Sequence, residues 1–98
     1  MTITKTQNGS TLTLALEGRL DTMTAPELEA EIKAIPTDVT ALTLDLEKLD
    51  YISSAGLRVL LGAHKAMSAK EGLKVKNVNE IVGEVFEVTG FSDILDIE

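Results

Sequence analysis

The chain has no cysteine and no tryptophan, only three aromatic residues, two prolines and a single histidine among its 98 residues. Without cysteine there is no disulfide, no thiolate nucleophile and no Cys-ligated metal, a usage that suits a cytoplasmic protein. With one Tyr and two Phe, there is little surface on which bases could stack. Basic residues are also scarce: nine Lys and Arg against sixteen Asp and Glu give a formal charge of −7. Nucleic acid and anionic membrane both require basic patches, so neither is expected as a partner. Net acidity serves solubility, and it equally suits a partner with a basic surface. Long apolar runs are missing too. The longest, Val59-Leu60-Leu61, is far too short to cross a bilayer. The opening Met1-Thr-Ile-Thr-Lys-Thr-Gln7 has no apolar h-region, so no secretory leader is expected.

What is present is a regular alternation of strand and helix signals over one domain, residues 1–98. Thr2 to Thr6 and Thr11 to Glu17 alternate with period two around Gln7-Asn8-Gly9-Ser10, which predicts a hairpin. Leu12, Leu14 and Leu16 share one face, and Thr11, Thr13 and Ala15 the other. Thr24, Pro26 and Glu27 read as a capping box opening a first helix, with Leu28, Ile32 and Ile35 as its apolar stripe and Pro36 as its stop. Thr40 to Leu46 is the third strand, followed by an acidic corner, Glu47-Lys-Leu-Asp50. A second helix is predicted from Ser53 or Ser54 to Ala69, with Leu57, Leu60, Leu61, His64 and Met67 as a buried stripe and Gly72 beyond its end. Leu73 to Asn77 is a short strand. Asn79 caps a third helix whose stripe is Ile81, Val82, Val85 and Phe86, and Gly90 stops it. Phe91 to Ile97 packs a last turn or edge strand. Strand–helix–strand units imply parallel pairs and right-handed crossovers. The expected fold is therefore α/β: a mixed sheet of four to five strands with helices mainly on one face.

Chemistry-bearing patterns are few. There is no phosphate loop or dinucleotide-binding glycine fingerprint, and no cofactor is expected. Asp93, Asp96 and Glu98, like Asp45, Glu47 and Asp50, lack calcium-loop spacing and read as solvated acids, so no metal is expected. A serine hydrolase needs a base beside its nucleophile. His64, the only histidine, is ten residues along the same predicted helix from Ser54, roughly 15 Å away, so no enzyme is expected. That leaves Ser53 and Ser54, at a helix start where backbone N–H groups are free. A serine there either caps the helix or presents its hydroxyl to a phosphate or a partner. Asp21 ends the second strand as Ser53 and Ser54 end the third. Loops after parallel strands gather at one sheet edge, so the two should be neighbours. A loop cap is the plain role for Asp21. Arg58 and Lys65 flank the predicted stripe and read as exposed bases or partner contacts.

Two separated segments carry a resemblance over nearly the whole chain. Leu16-Glu-Gly-Arg-Leu-Asp21 resembles the hydrophobic-x-Gly-x-hydrophobic-Asp motif of STAS domains. Tyr51-Ile-Ser-Ser-Ala-Gly-Leu57 resembles their Asp-Ser-Ser/Thr-Gly-Leu motif, and Val85-Phe-Glu-Val-Thr-Gly-Phe91 is similar to their final helix and its Thr-Gly-Phe ending. The nearest group is the bacterial anti-sigma-factor antagonists. The resemblance implies that Ser54, two positions before Gly56, is phosphorylated by a partner anti-sigma factor acting as a serine kinase, with a phosphatase as its counterpart. It places Asp21, Ser53, Ser54, Ala55 and Gly56 in a partner-binding region, to which Arg58, from its place on the helix face, is added as a candidate contact. The chain departs from the motif at Ser53, where the family has aspartate, and at Ala55, where it has a hydroxyl. The alternative implied by the same fold is a binding module of a stressosome-type or lipid-transport complex.

Overall fold

The computed structural model describes residues 1–98. Its order is β1 (Thr2–Asn8), β2 (Thr11–Leu20), α1 (Ala25–Lys33), β3 (Ala41–Ile52), α2 (Ser54–Met67), β4 (Gly72–Lys76), α3 (Glu80–Thr89), a 3-10 turn (Phe91–Asp93) and β5 (Asp96–Ile97). The strands form one sheet in the order β1-β2-β3-β4-β5. The β1–β2 pair is antiparallel, closed by Gly9-Ser10 with Gly9 at φ +64°, and the other pairs are parallel. The mixed sheet with helices on one face is the expected architecture, and the hairpin, three helices and final short strand fall where the sequence puts them. No helix is long and apolar enough to cross a membrane.

Alternation makes the core. Leu12, Leu14 and Leu16 of β2, Leu42, Leu44 and Leu46 of β3, and Leu73 and Val75 of β4 are all buried on one face. They pack against Leu28 of α1, Leu57, Leu60, Ala63 and Met67 of α2, and Val82 and Phe86 of α3. Every buried residue but Gly56 is hydrophobic. The opposite face, with Thr11, Thr13, Ala15, Ala41 and Thr43, is only half-buried, as small and hydroxyl residues predict for an uncovered sheet face.

Three expectations need correction. First, Glu47 to Asp50 is no corner: β3 runs on to Ile52. Between Ala15↔Asp45 and Glu17↔Lys48, and again between Gly18↔Leu49 and Arg19↔Tyr51, β3 spends one residue more than β2. Each extra residue is a bulge, so the core-facing spacing changes from two (Leu42, Leu44, Leu46) to three (Leu46, Leu49, Ile52). A broken period two looks like the end of a strand, which is why the sequence suggested a corner. Asp45 pins the first bulge by accepting the Glu47 N–H at 3.1 Å and the Asn77 amide at 3.0 Å. The Asn77 amide holds the Asp45 carboxyl below its ordinary value. Partial burial opposes this, and the Glu47 N–H and the Lys76 and Lys48 charges reinforce it.

Second, the buried stripe of α2 is Gly56, Leu57, Leu60, Ala63 and Met67, while Leu61 and His64 are only half-buried. Close packing of helix on sheet favours the small residues Gly56 and Ala63 at the contact, and that rotates Leu61 and His64 to the flank. Third, Ile81 is not in the α3 stripe but 61% exposed. Asn79 does cap α3, accepting the Val82 N–H at 2.8 Å, and its amide donates to the Leu49 carbonyl at 2.6 Å, which fastens α3 to the bulged part of β3. Gly90 ends the helix in the left-handed region at φ +81°.

Candidate functional site

The parallel strands β2 and β3 end together. Leu20 pairs with Ile52, and the Ser53 N–H donates to the Leu20 carbonyl at 2.9 Å. The residues after these ends, Asp21 and Ser53, therefore begin their loops side by side at one sheet edge. The juxtaposition expected from topology is present at the level of the backbone.

After β2, the chain turns through Thr22, Met23 and Thr24 before α1. The expected Thr24–Glu27 capping box does not form, because the Thr24 side chain makes no cap bond to α1. A reciprocal pair forms one turn earlier instead. Asp21 Oδ1 accepts the Met23 N–H at 3.0 Å and the Thr24 N–H at 3.2 Å. Thr24 Oγ1 accepts the Asp21 N–H at 2.9 Å and donates to the Arg19 carbonyl at 2.7 Å. The box is thus Asp21-x-x-Thr24, and the plain role of Asp21 as a loop cap is its observed one. Partial desolvation pushes the Asp21 carboxyl up, but the Thr24 and Met23 N–H groups, the Thr24 hydroxyl and the Arg19 guanidinium outweigh it and hold the group below its ordinary value. Asp21 is therefore charged at neutral pH.

After β3, Ser53 takes extended backbone (φ −100°, ψ 176°), and its Oγ accepts the Gly56 N–H at a long 3.4 Å. Ser53 is the cap. Ser54, the first residue of α2, is exposed, and its hydroxyl makes no hydrogen bond within the chain. The first turn of α2 carries no acidic side chain. The free N–H groups and dipole of a 14-residue helix thus face the space around Ser54 without a competing charge on the helix itself.

Gly56 is buried, and the structure shows why glycine stands there. A Cβ at this position would lie 2.7 Å from Leu20 Cγ and 2.9 Å from Ile52 Cγ1. The helix start rests directly on the ends of the two strands. Gly56 therefore has no side chain to offer a partner; it sets how closely Ser53 and Ser54 approach the strand ends. Ala55 is half-buried and Arg58 exposed. With Val59 they form one wall of a shallow depression whose other wall is Thr22, Ala25, Pro26 and Glu29. Arg58 makes no ion pair.

Three residues at this edge were not singled out in the sequence. Met23 is 84% exposed at the tip of the Asp21–Thr24 turn. Arg19 and Tyr51, paired across β2 and β3, stack with the guanidinium 4.4 Å from the ring centre, and Arg19 Nε lies 3.8 Å from Asp21 Oδ2. A large apolar residue inside a turn, with no periodic partner, was the available signal for Met23. Arg19 and Tyr51 are not recognisable as a pair without the bulges that bring them into register. His64 is on the same helix as Ser54, ten residues on. No group of three or more His, Asp or Glu side chains converges as metal ligands would.

The five-stranded mixed sheet with three helices is a fold shared with a solved STAS domain protein from Planctomyces limnophilus, at a TM-score of 0.77 and 17% identity over 98% of this chain and 87% of that one. Residues 3–96 match the family described as Mlab, STAS domain, and the chain belongs to the STAS family, among the bacterial anti-sigma-factor antagonists. It is 37% identical over 99 residues to BtrV of Bordetella bronchiseptica, a protein named provisionally as an anti-sigma factor antagonist; the alignment covers 99% of this chain and 85% of that one. It is 30% identical over 92 residues to the anti-sigma-B factor antagonist of Bacillus subtilis, covering 93% of this chain and 84% of that one. The fold is similar to that of the Bacillus cell fate determinant SpoIIAA, solved in its phosphorylated form. The TM-score is 0.76 at 21% identity, over 99% of this chain and 91% of that one.

Proposed function

We propose that this protein is an anti-sigma-factor antagonist: a binding protein, not an enzyme, acting in the cytoplasm, whose unmodified form captures an anti-sigma factor and so releases a sigma factor. Phosphorylation of Ser54 by that partner, acting as a serine kinase, switches it off, and a phosphatase restores it. The observation that carries this reading is the division of labour between the two serines. Ser53 caps α2, which leaves the Ser54 hydroxyl exposed and unbonded. The names of the relatives in Bordetella and Bacillus support the antagonist role.

The switch follows from charge. A phosphate adds about −1.5 to −2 charge. At the first position of α2 the helix itself tolerates it, so the fold should survive. The cost falls on the interface, where a dianion must be desolvated beside the ionised Asp21. A loss of roughly 3–4 kcal/mol would weaken binding several hundredfold. Asp21, Ser54, Ala55 and Arg58 would make the contacts, with Ser53 and Gly56 holding them in position. The neutral Ser53, in place of the family's aspartate, removes one repulsive charge beside the acceptor.

The test begins with partners recovered from the native cell. Incubation with a recovered kinase-type ATPase and ATP should add one phosphate to the intact mass of wild type and none to Ser54→Ala. Ser54→Asp should keep its far-ultraviolet circular dichroism and melting temperature while losing several hundredfold in affinity for that ATPase. No phosphate on wild type would sink the switch, and recovery of transporter subunits in place of an ATPase would move the protein to a lipid-transport complex.

A further inference from the structure

The outer face of α3 is apolar and uncovered. Ile81 is 61% exposed and Val88 82% exposed. Val85 lies between them on the same side, half-buried against the core. The spacing i, i+4, i+7 puts the three on one stripe about 10 Å long, turned away from the buried Val82 and Phe86. Such a stripe usually faces a core; here nothing in the chain covers it. Its rim has one sign of charge: Glu80, Glu84 and Glu87 are exposed along the adjacent side, and α3 carries no basic residue at all.

The charge decides among occupants. A second copy would set glutamates against glutamates on molecules that each carry −7. An anionic bilayer is repelled for the same reason. An amphipathic helix with Lys or Arg beside its apolar side matches both halves of the surface, in the manner of two helices paired along apolar stripes with opposite charges at their flanks. We propose that the outer face of α3 docks a basic amphipathic helix of a partner protein, Ile81, Val85 and Val88 receiving its apolar stripe and Glu80, Glu84 and Glu87 its cationic side chains. This surface is on a different helix from Ser54 and does not depend on phosphorylation.

The test is a titration of the full-length ¹⁵N-labelled protein with a synthetic Leu/Lys amphipathic helical peptide, and with a scrambled peptide of the same composition that lacks an apolar face. Amide shifts should concentrate on residues 80–89, with binding at least about tenfold weaker for the scrambled peptide. Val88→Asp and Glu84→Lys, both at exposed positions, should each weaken binding by about tenfold, and Ser54→Ala should leave it unchanged. Folding of each variant is checked by its own ¹⁵N spectrum. Equal binding of the scrambled peptide would reduce the surface to nonspecific acidity and overturn the proposal. So would shifts centred elsewhere, no binding, or a dimer in sedimentation that Val88→Asp dissolves.

Discussion

Two helix starts share one edge of the sheet and are built to opposite specifications. Before α1, the residue after the strand is Asp21, a charged cap of the turn that leads into the helix, locked to Thr24 by bonds in both directions. At α2, the residue in the same place is Ser53, a neutral cap with a single 3.4 Å bond. No reciprocal bond is available there, because the residue three positions on is Gly56, which must be glycine to rest on Leu20 and Ile52. One start is stiff and negative. The other is lightly capped, neutral and pressed against the strand ends, with a free hydroxyl at Ser54. The difference shows how a fold can hold one loop in place next to a hydroxyl that stays exposed.

The comparison breaks most severely at Gly56. Gly56→Val forces a branched side chain into the Leu20–Ile52 contact. Overpacking of this kind costs about 1–3 kcal/mol, and the poor fit puts this case near the top of the range. Differential scanning calorimetry should show the melting temperature of a domain this size falling by about 4–8 °C for each kcal/mol lost. An unchanged melting temperature would mean that the helix start has more room than the geometry indicates.

Smaller effects should separate the two caps. Thr24→Val removes the hydroxyl that holds both Asp21 and the Arg19 carbonyl, while keeping the volume. The expected loss is about 1–2 kcal/mol, the worth of one to two hydrogen bonds. Ser53→Ala, removing one long bond, should cost about 0.5 kcal/mol, the low end for a cap. Urea denaturation of the pair gives the order directly, and a reversal would mean that α2 is the more tightly fastened start.

The smallest effect is on pH dependence. Asp21 and Asp45 both ionise below the ordinary value of 3.8. A carboxyl with a lowered folded pKa contributes stability that is fully present above its unfolded pKa and is lost as pH falls through the folded pKa. Unfolding free energy should therefore be flat near neutrality and decline below about pH 4. In Asp45→Asn the decline should be shallower, because one of the two carboxyls held below the ordinary value is gone. An identical slope would remove Asp45 as a contributor.

The general layout was open to a reader of the sequence. Leucine alternation marked β2 and the first half of β3, Asn79 and Gly90 bracketed α3, and the serines stood before α2. What stayed hidden depends on distant segments of the chain meeting. The bulges that carry β3 through Glu47–Asp50 exist only relative to β2. The capping box moved from Thr24–Glu27 to Asp21–Thr24 because the Arg19 carbonyl, supplied by the end of β2, engages the Thr24 hydroxyl. The α2 stripe turned because glycine and alanine, invisible to a count of large apolar side chains, are what close packing prefers. At the site, the position of Ser54 was legible, and the pairing of Arg19 with Tyr51 was not.

Tyr51 is the only tyrosine in a chain without tryptophan, and it lies at the edge where Asp21 and Ser53 begin, 37% exposed with the Arg19 guanidinium on its face. Nearly all of the protein's intrinsic ultraviolet emission therefore originates from one ring at this edge. The molecule carries its own optical reporter there, and displacement of Arg19 by an arriving phosphate or protein would register in its light without any added label.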